Sequence, residues 1–457
     1  MPPDGRFLGL PRDAKGSQRP MSEGDDVYSR FAENLARTER MSRSALNAYR
    51  SALLSRIVSF AHARAPFYRD RLAPLFRNGD IPDLQRWREV PILRRTDIER
   101  DIDSINPAAL PSDIGEVTIR RSSGTTGPSG MTFRICAPVR IADACMMQRL
   151  YHWWGYDDAA PMASIRHYTM NDRNFPNGKV DMQWSYPGRP APHYSLDLRT
   201  SAANMIAWLL RHRPRYLLTF PSVAEELASH PDARRLTELG LKGVVAISEV
   251  VSDDASDLVR KCFGCELAQI YGCTEMGAVA LQSPDDGALL VCEESVMVEL
   301  IDDNGQPVEP GETGRVILTS LYNFATPFIR YEIGDYATSA DGVSPSGRAY
   351  IRLQRIEGRQ RNALVTASGA RVWQSAIPAA SVLRYVAATQ FQIRQPAAEL
   401  IEFLYVPAST TTADRAGLEN YFANLLGRPV TLTLSAVDTM PRTAGGKYER
   451  IVSAVAT

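Results

Sequence analysis

The sequence predicts an α/β fold: a large N-terminal domain of mostly parallel α/β sheets with an antiparallel β subdomain, followed by a small α+β domain. Short apolar runs alternate with helical patterns from Tyr216 to Ile270, which indicates a parallel sheet covered on both faces. From Val296 to Leu321, apolar residues recur at every second position around an Asp303-Asn304-Gly305 turn, which is typical of antiparallel strands.

Each predicted element depends on a local pattern. In the parallel region, the strands are predicted at Tyr216–Phe220, Val244–Ile247 and Leu267–Ile270, and the helices at Ser222–Ala228 and Asp253–Phe263. Near the C-terminus, the predicted elements are strands at Thr389–Arg394, Leu400–Val406 and Val430–Val437 and a helix at Ala413–Leu426. Two further helices are predicted at Tyr28–Arg64, ended by Ala65-Pro66, and at Val139–Trp154.

Length and composition exclude several classes of protein. A chain of 457 residues with 44% hydrophobic residues is too long for one core and suits two or three domains. Lys plus Arg (52) equals Asp plus Glu (52), so small molecules are expected as ligands rather than nucleic acid or a membrane. Residues 1–27 are predicted to be a flexible N-terminus without a signal peptide, and no stretch approaches roughly 18 apolar residues, so we expect a cytoplasmic protein.

Four of the cysteines, Cys262, Cys265, Cys273 and Cys292, raise the question of a metal site, because a Cys-x-x-Cys pair begins the series. No second close pair follows, so reduced structural thiols are favoured over zinc. Six cysteines in a chain of this length do not indicate a disulfide framework.

The segment from Arg121 to Gly130 is rich in glycine, serine and threonine, and its bare amides and hydroxyls are suited to bind an anion such as a phosphate. An ordinary loop is the competing interpretation, and the lysine and spacing of a Walker A loop are missing. The helix predicted from Val139 would present its positive N-terminal end to the same phosphate.

Polar and aromatic residues follow the three predicted parallel strands at Pro221-Ser222, Ser248-Glu249 and Tyr271-Gly272. Ligands of parallel sheets bind at the carboxyl ends of the strands, so these residues predict a binding site. The aromatic cluster Tyr151, Trp153, Trp154 and Tyr156 is interpreted as core packing in preference to a substrate wall.

Four later stretches, together with the glycine-rich loop, resemble motifs of the adenylate-forming (ANL) superfamily, and most closely those of the phenylacetate-CoA ligase-like family. They are Tyr271–Glu275, Tyr331–Asp335, Gly358-Arg359 and Pro441–Lys447. The resemblance covers nearly the whole chain. It implies a large ATP- and acid-binding domain over residues 28–358 and a small mobile lid domain over residues 359–457 that carries Lys447.

The resemblance also implies a role for each motif. The β- and γ-phosphates of ATP would be embraced by Ser122, Ser123, Gly124, Thr125, Thr126 and Gly127. Tyr271, with Gly272 in the same cofactor-binding motif, would stack on adenine, and Ser248 and Glu249 would occupy the adenine-flanking segment. The ribose hydroxyls would donate to Asp335, with Arg359 near the ribose and phosphate. Arg330 is expected to form a structural ion pair.

In the same way, the resemblance implies the catalytic groups. Thr274 would donate its hydroxyl to the α-phosphate, Glu275 would hold Mg²⁺, and Lys447 would bridge the α-phosphate and the attacking carboxylate. The family pattern changes after Gly358-Arg359, where Arg361 and Asn362 replace a common aspartate or lysine and a common acid. This change brings the conformation needed for transfer to a thiol into question.

The expected reaction is ATP-dependent activation of a carboxylic acid, predicted to be aromatic, to an acyl-adenylate, followed by transfer to coenzyme A. The aromatic rings that could line the binding pocket for the acid are those of Trp153, Trp154, His167, Tyr168 and Trp184. Alternatives are transfer to a carrier protein, an amine or another nucleophile, and a homologue that binds nucleotide without turnover. A homodimer is possible in each case.

Overall fold

A computed structural model of the protein describes residues 23–112, 114–122, 130–185, 189–409 and 412–455, with side chains from residue 27 onward. The chain divides into two compact units that are each built from separate segments. The first unit comprises Met1–Asp157, Ser185–Arg189 and Ile270–Arg355, and the second comprises Asp158–Trp184, Pro190–Gln269 and Ile356–Thr457. Residues 1–22 of the predicted flexible N-terminus lie outside the described residues.

The α-helices are α1 Glu23–Thr38, α2 Arg43–Arg64, α3 Pro66–Leu72, α4 Arg95–Ile105, α5 Ala137–Trp153, α6 Ala202–His212, α7 Pro221–Ser229, α8 Asp253–Phe263, α9 Ala379–Leu383 and α10 Arg415–Leu426. The single helix predicted from Tyr28 to Arg64 is wrong, because the chain breaks between α1 and α2. The physical reason is a cap: the Ser42 hydroxyl accepts a hydrogen bond from the Ala45 amide at 3.3 Å and starts a new helix.

The strands are β1 Val117–Arg121, β2 Thr132–Cys136, β3 Met162–Arg166, β4 Lys179–Asp181, β5 His193–Asp197, β6 Tyr216–Thr219, β7 Gly243–Ala246, β8 Leu267–Cys273, β9 Gly277–Gln282 and β10 Leu289–Val291. They continue as β11 Val296–Ile301, β12 Thr313–Ser320, β13 Tyr331–Ser339, β14 Arg352–Arg359, β15 Ala363–Val365, β16 Arg371–Trp373, β17 Ala388–Ala397, β18 Leu400–Pro407, β19 Thr431–Ala436 and β20 Ile451–Ser453. Short 3₁₀ helices lie at Ala73–Phe76, Leu84–Glu89, Ala233–Leu239, Gln360–Asn362 and Gln374–Ala376.

In the first unit, the sheet has the order β11-β12-β13-β14-β10-β9-β8. The β11–β12, β12–β13, β10–β14, β9–β10 and β8–β9 pairs are antiparallel. The antiparallel subdomain predicted from the period-two pattern is therefore confirmed. Among the described residues, no helix has both the length and the apolar character that crossing a membrane requires.

In the second unit, β7, β6, β3 and β5 pair in parallel, and β4 is an antiparallel edge strand. The first residues of β8 also pair in parallel with β7. The core beside these strands contains Trp208, Leu217, Val223, Val244 and Val259. The predicted β-α alternation is confirmed here, since α7 follows β6 and α8 follows β7.

The C-terminal segment of the second unit has a small sheet in the order β19-β18-β17-β20. Its apolar residues form a core of their own, which includes Leu364, Phe391, Phe403, Phe422 and Leu432. The α+β pattern predicted for this segment is confirmed, and the separate core is what a small domain requires. The boundary between residues 358 and 359 remains our proposal.

Candidate functional site

Two of the predicted nucleotide-binding residues are joined directly in the first unit. Tyr271 lies near the end of β8 and Asp335 lies in β13, and the Tyr271 hydroxyl donates a hydrogen bond to Asp335 Oδ2 at 2.9 Å. Tyr271 and Gly272 lie within β8 rather than after it, because the strand continues three residues beyond its predicted end. Asp335 is half-buried, so its carboxylate remains within reach of a ligand.

The turn between β8 and β9 carries Thr274, which is exposed, and Glu275, which is 5% exposed. The turn is held by Asp143 of α5, whose carboxylate accepts a hydrogen bond from the Ala278 amide at 2.8 Å. Gly277 has φ +75°, and a Cβ atom at this position would lie 2.7 Å from Asp143 Oδ1. Asp143 was not predicted from the sequence, because its contact with Ala278 joins residues 135 positions apart.

Negative charge is concentrated around this turn. The pKa of the Cys273 thiol is well above its usual range, first because the thiol is buried and then because of the charges of Glu275 and Asp335. Both carboxylates are therefore close enough to act on one group. Such a site favours a cation, and the carboxylate of Glu275 offers the hard oxygen that Mg²⁺ prefers.

Glu275 provides one donor group for Mg²⁺, so the remaining ligands would have to be phosphate oxygens and water. In the part of the chain that the structure describes, no cluster of three or more His, Cys, Asp or Glu side chains could hold a metal ion. The described cysteines Cys262, Cys265, Cys273 and Cys292 form no disulfide.

The glycine-rich segment connects the two strands of the β1–β2 hairpin. At the base of the loop, the Ser122 amide donates to the Met131 carbonyl and the Met131 amide donates to Ser122 Oγ, each at 2.9 Å. The predicted phosphate contacts of Ser123, Gly124, Thr125, Thr126 and Gly127 lie outside the described residues.

The predicted helix after this loop is confirmed as α5, but it does not begin directly at the end of the loop. Five residues of β2 separate the loop from Ala137, where α5 begins. A strand of that length spans roughly 17 Å, so the helix begins at the far end of β2 from the loop.

The hairpin itself is fixed by the segment between β12 and β13. The Arg134 amide donates to Thr326 Oγ1 at 3.0 Å, and the Asn323 side chain donates to the Arg134 carbonyl at 3.0 Å. Arg330, in the same segment, pairs with Glu299 at 3.0 Å and is 4% exposed, which confirms the predicted structural ion pair.

In the second unit, Lys447 lies on a tight turn. The Thr443 amide donates to the Lys447 carbonyl, and the Gly446 amide donates to the Thr443 carbonyl, each at 2.8 Å. Gly446 has φ +77°, and a Cβ atom there would lie 3.0 Å from Leu198 Cδ2 and 3.1 Å from His167 Cβ. A glycine is therefore required directly before the lysine.

Glu249 is nearly buried and contacts the segment that follows Lys447. Its carboxylate accepts hydrogen bonds from the Ser222 amide at 3.0 Å, the Ser222 hydroxyl at 3.1 Å and the Tyr448 amide at 2.6 Å. Burial raises the pKa of Glu249, against the opposing effect of these hydrogen bonds and of Arg442. The preceding residue, Ser248, is exposed and has φ +70°.

Arg442, in the motif that contains Lys447, binds the same group of residues. It donates to Ser222 Oγ at 2.8 Å and to the Gly446 carbonyl at 3.2 Å, and lies 3.8 Å from Glu249 Oε1. A second arginine, Arg450, pairs with Glu225 of α7 at 2.8 Å.

The two unusual residues after Gly358-Arg359 have a common partner. Arg361 pairs with Glu449 at 2.8 Å, and the Asn362 side chain donates to Glu449 Oε1 at 3.2 Å. The backbone amide of Arg359 donates to Asn362 Oδ1 at 3.0 Å. Arg361 and Asn362 are recognisable in the sequence as departures from the family pattern, whereas no local sequence pattern indicates their partner Glu449.

A cavity of about 380 Å³ adjoins Lys447 in the C-terminal segment. Arg394 of β17, Thr443 and Glu449 are among the residues that line it. The lining contains both basic and acidic side chains, including Arg394 and Glu449. Glu449 pairs with Arg361, and Arg394 donates a hydrogen bond to the side chain of Gln392.

The aromatic candidates for a substrate wall lie in both units. Trp153 packs beside Leu46, Leu290 and Tyr350 in the first unit, which confirms the core interpretation for this residue. In the second unit, the ring of Tyr168 is contacted by the guanidinium groups of Arg166 and Arg173, and Trp184 donates to the Ala160 carbonyl at 2.8 Å.

Comparison with known proteins finds relatives for most of the chain. The AMP-binding enzyme family matches residues 193–325, a range that contains Glu249, Tyr271 and Glu275. The phenylacetate-coenzyme A ligase of Thermus thermophilus is 24% identical over 342 residues, which are 72% of this chain and 73% of that ligase. The phenylacetate-coenzyme A ligase of Pseudomonas putida is 28% identical over 157 residues, which are 33% of this chain and 34% of that ligase.

Solved structures share the fold at low sequence identity. A 2-hydroxyisobutyryl-CoA ligase in the postadenylation state, in complex with 2-HIB-AMP, has a TM-score of 0.72 at 20% identity and covers 92% of this chain and 91% of its own. An anthranilate CoA ligase in complex with anthranoyl-AMP has a TM-score of 0.55 at 17% identity, over 75% of this chain and 68% of its own.

Proposed function

We propose a reaction from one premise: this chain belongs to the adenylate-forming enzymes, of the phenylacetate-CoA ligase type. It is an AMP-forming acid–thiol ligase. In the first half-reaction, a carboxylate oxygen of the acid attacks the α-phosphorus of ATP and the bond to the β-phosphate oxygen breaks. The products are an acyl-adenylate and pyrophosphate.

The observation that carries the proposal is the group formed by Tyr271, Glu275 and Asp335 in the first unit. The Tyr271–Asp335 hydrogen bond places an aromatic ring beside a carboxylate, a pair suited to hold adenine and the ribose hydroxyls of one nucleoside. Glu275 would hold Mg²⁺, which neutralises charge on the phosphates when bound, and Thr274 would donate its hydroxyl to the α-phosphate.

Lys447 is proposed to bring positive charge to the α-phosphate and the attacking carboxylate, where negative charge develops in the transition state. Its position after a tight, glycine-dependent turn supports this role, because the turn fixes where the side chain begins. Arg359 and the loop from Ser122 to Gly127 are proposed to contact the nucleotide phosphates.

In the second half-reaction, the thiol sulfur of coenzyme A attacks the acyl carbonyl carbon and AMP leaves. Coenzyme A is the acceptor named for the relatives from Thermus thermophilus and Pseudomonas putida. A carrier-protein thiol and an amine are alternative acceptors, and the altered residues Arg361 and Asn362 keep them open. An aromatic acid is proposed because His167, Tyr168 and Trp184 offer flat surfaces in the second unit.

The test measures pyrophosphate release from ATP across a panel of acids, without an acceptor. The panel includes phenylacetate, benzoate, anthranilate and short hydroxy acids, so aromatic and aliphatic substrates compete directly. Acids that release pyrophosphate are then incubated with coenzyme A or amines, and the products are identified by mass spectrometry. Pyrophosphate release with aliphatic acids alone would contradict the proposal of an aromatic acid. Amide products would show that an amine, and not coenzyme A, is the acceptor.

A further inference from the structure

The peptide groups on both sides of Lys447 are held by side chains from elsewhere in the second unit. The Gly446 carbonyl, directly before the lysine, accepts from Arg442 Nη1 at 3.2 Å. The Tyr448 amide, directly after it, donates to Glu249 Oε1 at 2.6 Å. The backbone of Lys447 is therefore fixed from both ends.

The two holding side chains are themselves connected through Ser222, the second residue of α7. The Ser222 hydroxyl accepts from Arg442 Nη1 at 2.8 Å and donates to Glu249 Oε1 at 3.1 Å. The Ser222 amide donates to Glu249 Oε2 at 3.0 Å. Ser222 is 2% exposed and the Glu249 side chain is 5% exposed, so the hydrogen bonds between these two residues are shielded from competing water.

We propose that Glu249, Ser222 and Arg442 are positioning residues for Lys447, which set the place of the lysine during formation of the acyl-adenylate. The proposal rests on the proposed function and deepens it. It gives the Glu249 side chain a different task from the adenine contact that the sequence motif implies. Glu249 acts on the reaction through the lysine, and its carboxylate touches no reacting atom.

A second ion pair in the same region does not contact the backbone beside Lys447. Arg450 also connects the C-terminal segment to α7, through Glu225 at 2.8 Å, and it lies 3.7 Å from Asp254. This second ion pair holds the same elements together but contacts neither peptide group beside Lys447. Glu225 is therefore a matched control for Glu249.

The experiment compares the two half-reactions in Glu249→Gln, which keeps the size of the side chain and removes its charge. We expect acid-dependent exchange of pyrophosphate into ATP to fall about tenfold or more in kcat, because a small displacement of a catalytic group has a large effect on rate. The KM for ATP should change less than about twofold, as should thioester formation from a supplied acyl-adenylate. Glu225→Gln should match the wild type in all three measurements.

A second comparison separates positioning from general loss of structure. In a Lys447→Ala background, which is expected to have no exchange left to measure, Glu249→Gln should leave thioester formation from a supplied acyl-adenylate unchanged, because the lysine through which it acts is absent. Arg442→Lys provides a second variant, with the same expected split between half-reactions, if Glu249→Gln does not fold. Equal loss in both half-reactions, or a loss of thioester formation in the Lys447→Ala background, would overturn the inference.

Failure of the positioning role can be distinguished from failure of the proposed function. If the wild type exchanges pyrophosphate with no acid, the function is wrong. If the wild type exchanges and Glu249→Gln and Arg442→Lys do so equally well, only the positioning role is wrong.

Discussion

Asp335 is the residue in the first unit whose role is most directly testable, because its carboxylate already accepts a hydrogen bond from Tyr271 at 2.9 Å. We expect Asp335→Ala to raise the KM for ATP about tenfold or more, since each charge-assisted hydrogen bond to the ribose contributes about 1.5 to 3 kcal/mol. Steady-state kinetics with varied ATP measure the effect. Asp303→Ala, which removes a carboxylate from an exposed turn, is the control.

An unchanged KM for ATP in Asp335→Ala would show that the ribose is held elsewhere. Tyr271→Phe removes the hydrogen bond to Asp335 and keeps the aromatic ring. A smaller increase in KM is expected for this variant, because the ring that we propose to contact adenine remains.

The titration of His193 is expected to make the stability of the second unit depend on pH. Its Nε2 lies 2.7 Å from Ser164 Oγ, and burial, together with the charge of Arg166, lowers its pKa to about 4. In the unfolded chain, His193 takes up a proton near pH 6.5, whereas in the folded protein it stays neutral until about pH 4. The contribution of neutral His193 to the free energy of unfolding is therefore complete above pH 6.5 and is lost as pH falls towards 4. The free energy of unfolding should fall by about 2 kcal/mol between pH 7 and pH 5 from this residue alone.

Urea unfolding of the wild type, His193→Gln and His152→Gln at the two pH values measures this contribution. His152 is exposed on α5 and serves as the control. His193→Gln should show a smaller loss of stability than the wild type, and His152→Gln should match the wild type. An identical loss in His193→Gln would mean that other groups account for the pH dependence.

Among the elements, the Lys447 turn depends on one backbone conformation. Gly446→Ala should lower acid-dependent pyrophosphate exchange about tenfold, because φ +77° is strained for alanine and its Cβ would press on Leu198 and His167. Gly342→Ala is a matched control, since Gly342 has φ +76° but its nearest contact would be 3.8 Å away, at Arg352. Full activity in Gly446→Ala would show that the position of the turn is not critical.

The strands and helices of the parallel region were predictable because their signals are local. The observed limits of α8 are those predicted. Where a limit of β6, β7 or α7 differs from the prediction, it differs by one residue. The break between α1 and α2 was missed because a single capping residue, Ser42, outweighs a helical pattern on both sides.

The site was predictable only in part, for a physical reason. Tyr271 and Asp335 were recognisable from their motifs, and the structure joins them by a hydrogen bond. Asp143 and Glu449 were missed because they act through contacts with residues 135 and 88 positions away in sequence. Long-range contacts of this kind follow from the fold and leave no periodic pattern in the sequence.

At the scale of the whole molecule, Tyr271, Glu275 and Asp335 belong to the first compact unit, whereas Lys447 and Arg359 belong to the second. Tyr271, Glu275 and Asp335 are held by the antiparallel sheet of the first unit, and Lys447 is held by the network around Glu249 in the second. We therefore expect that loss of Lys447 removes the first half-reaction and leaves nucleotide binding by Tyr271 and Asp335 in place. Lys447→Ala is the variant that tests this separation.

The most direct test of the account is acid-dependent exchange of radiolabelled pyrophosphate into ATP, measured for the wild type and for Lys447→Ala. We predict that at least one acid of the panel supports exchange by the wild type. We predict that Lys447→Ala loses exchange but still forms thioester from a supplied acyl-adenylate, because we propose that the lysine serves only the first half-reaction. Absence of exchange with every acid, or undiminished exchange in Lys447→Ala, would contradict the account.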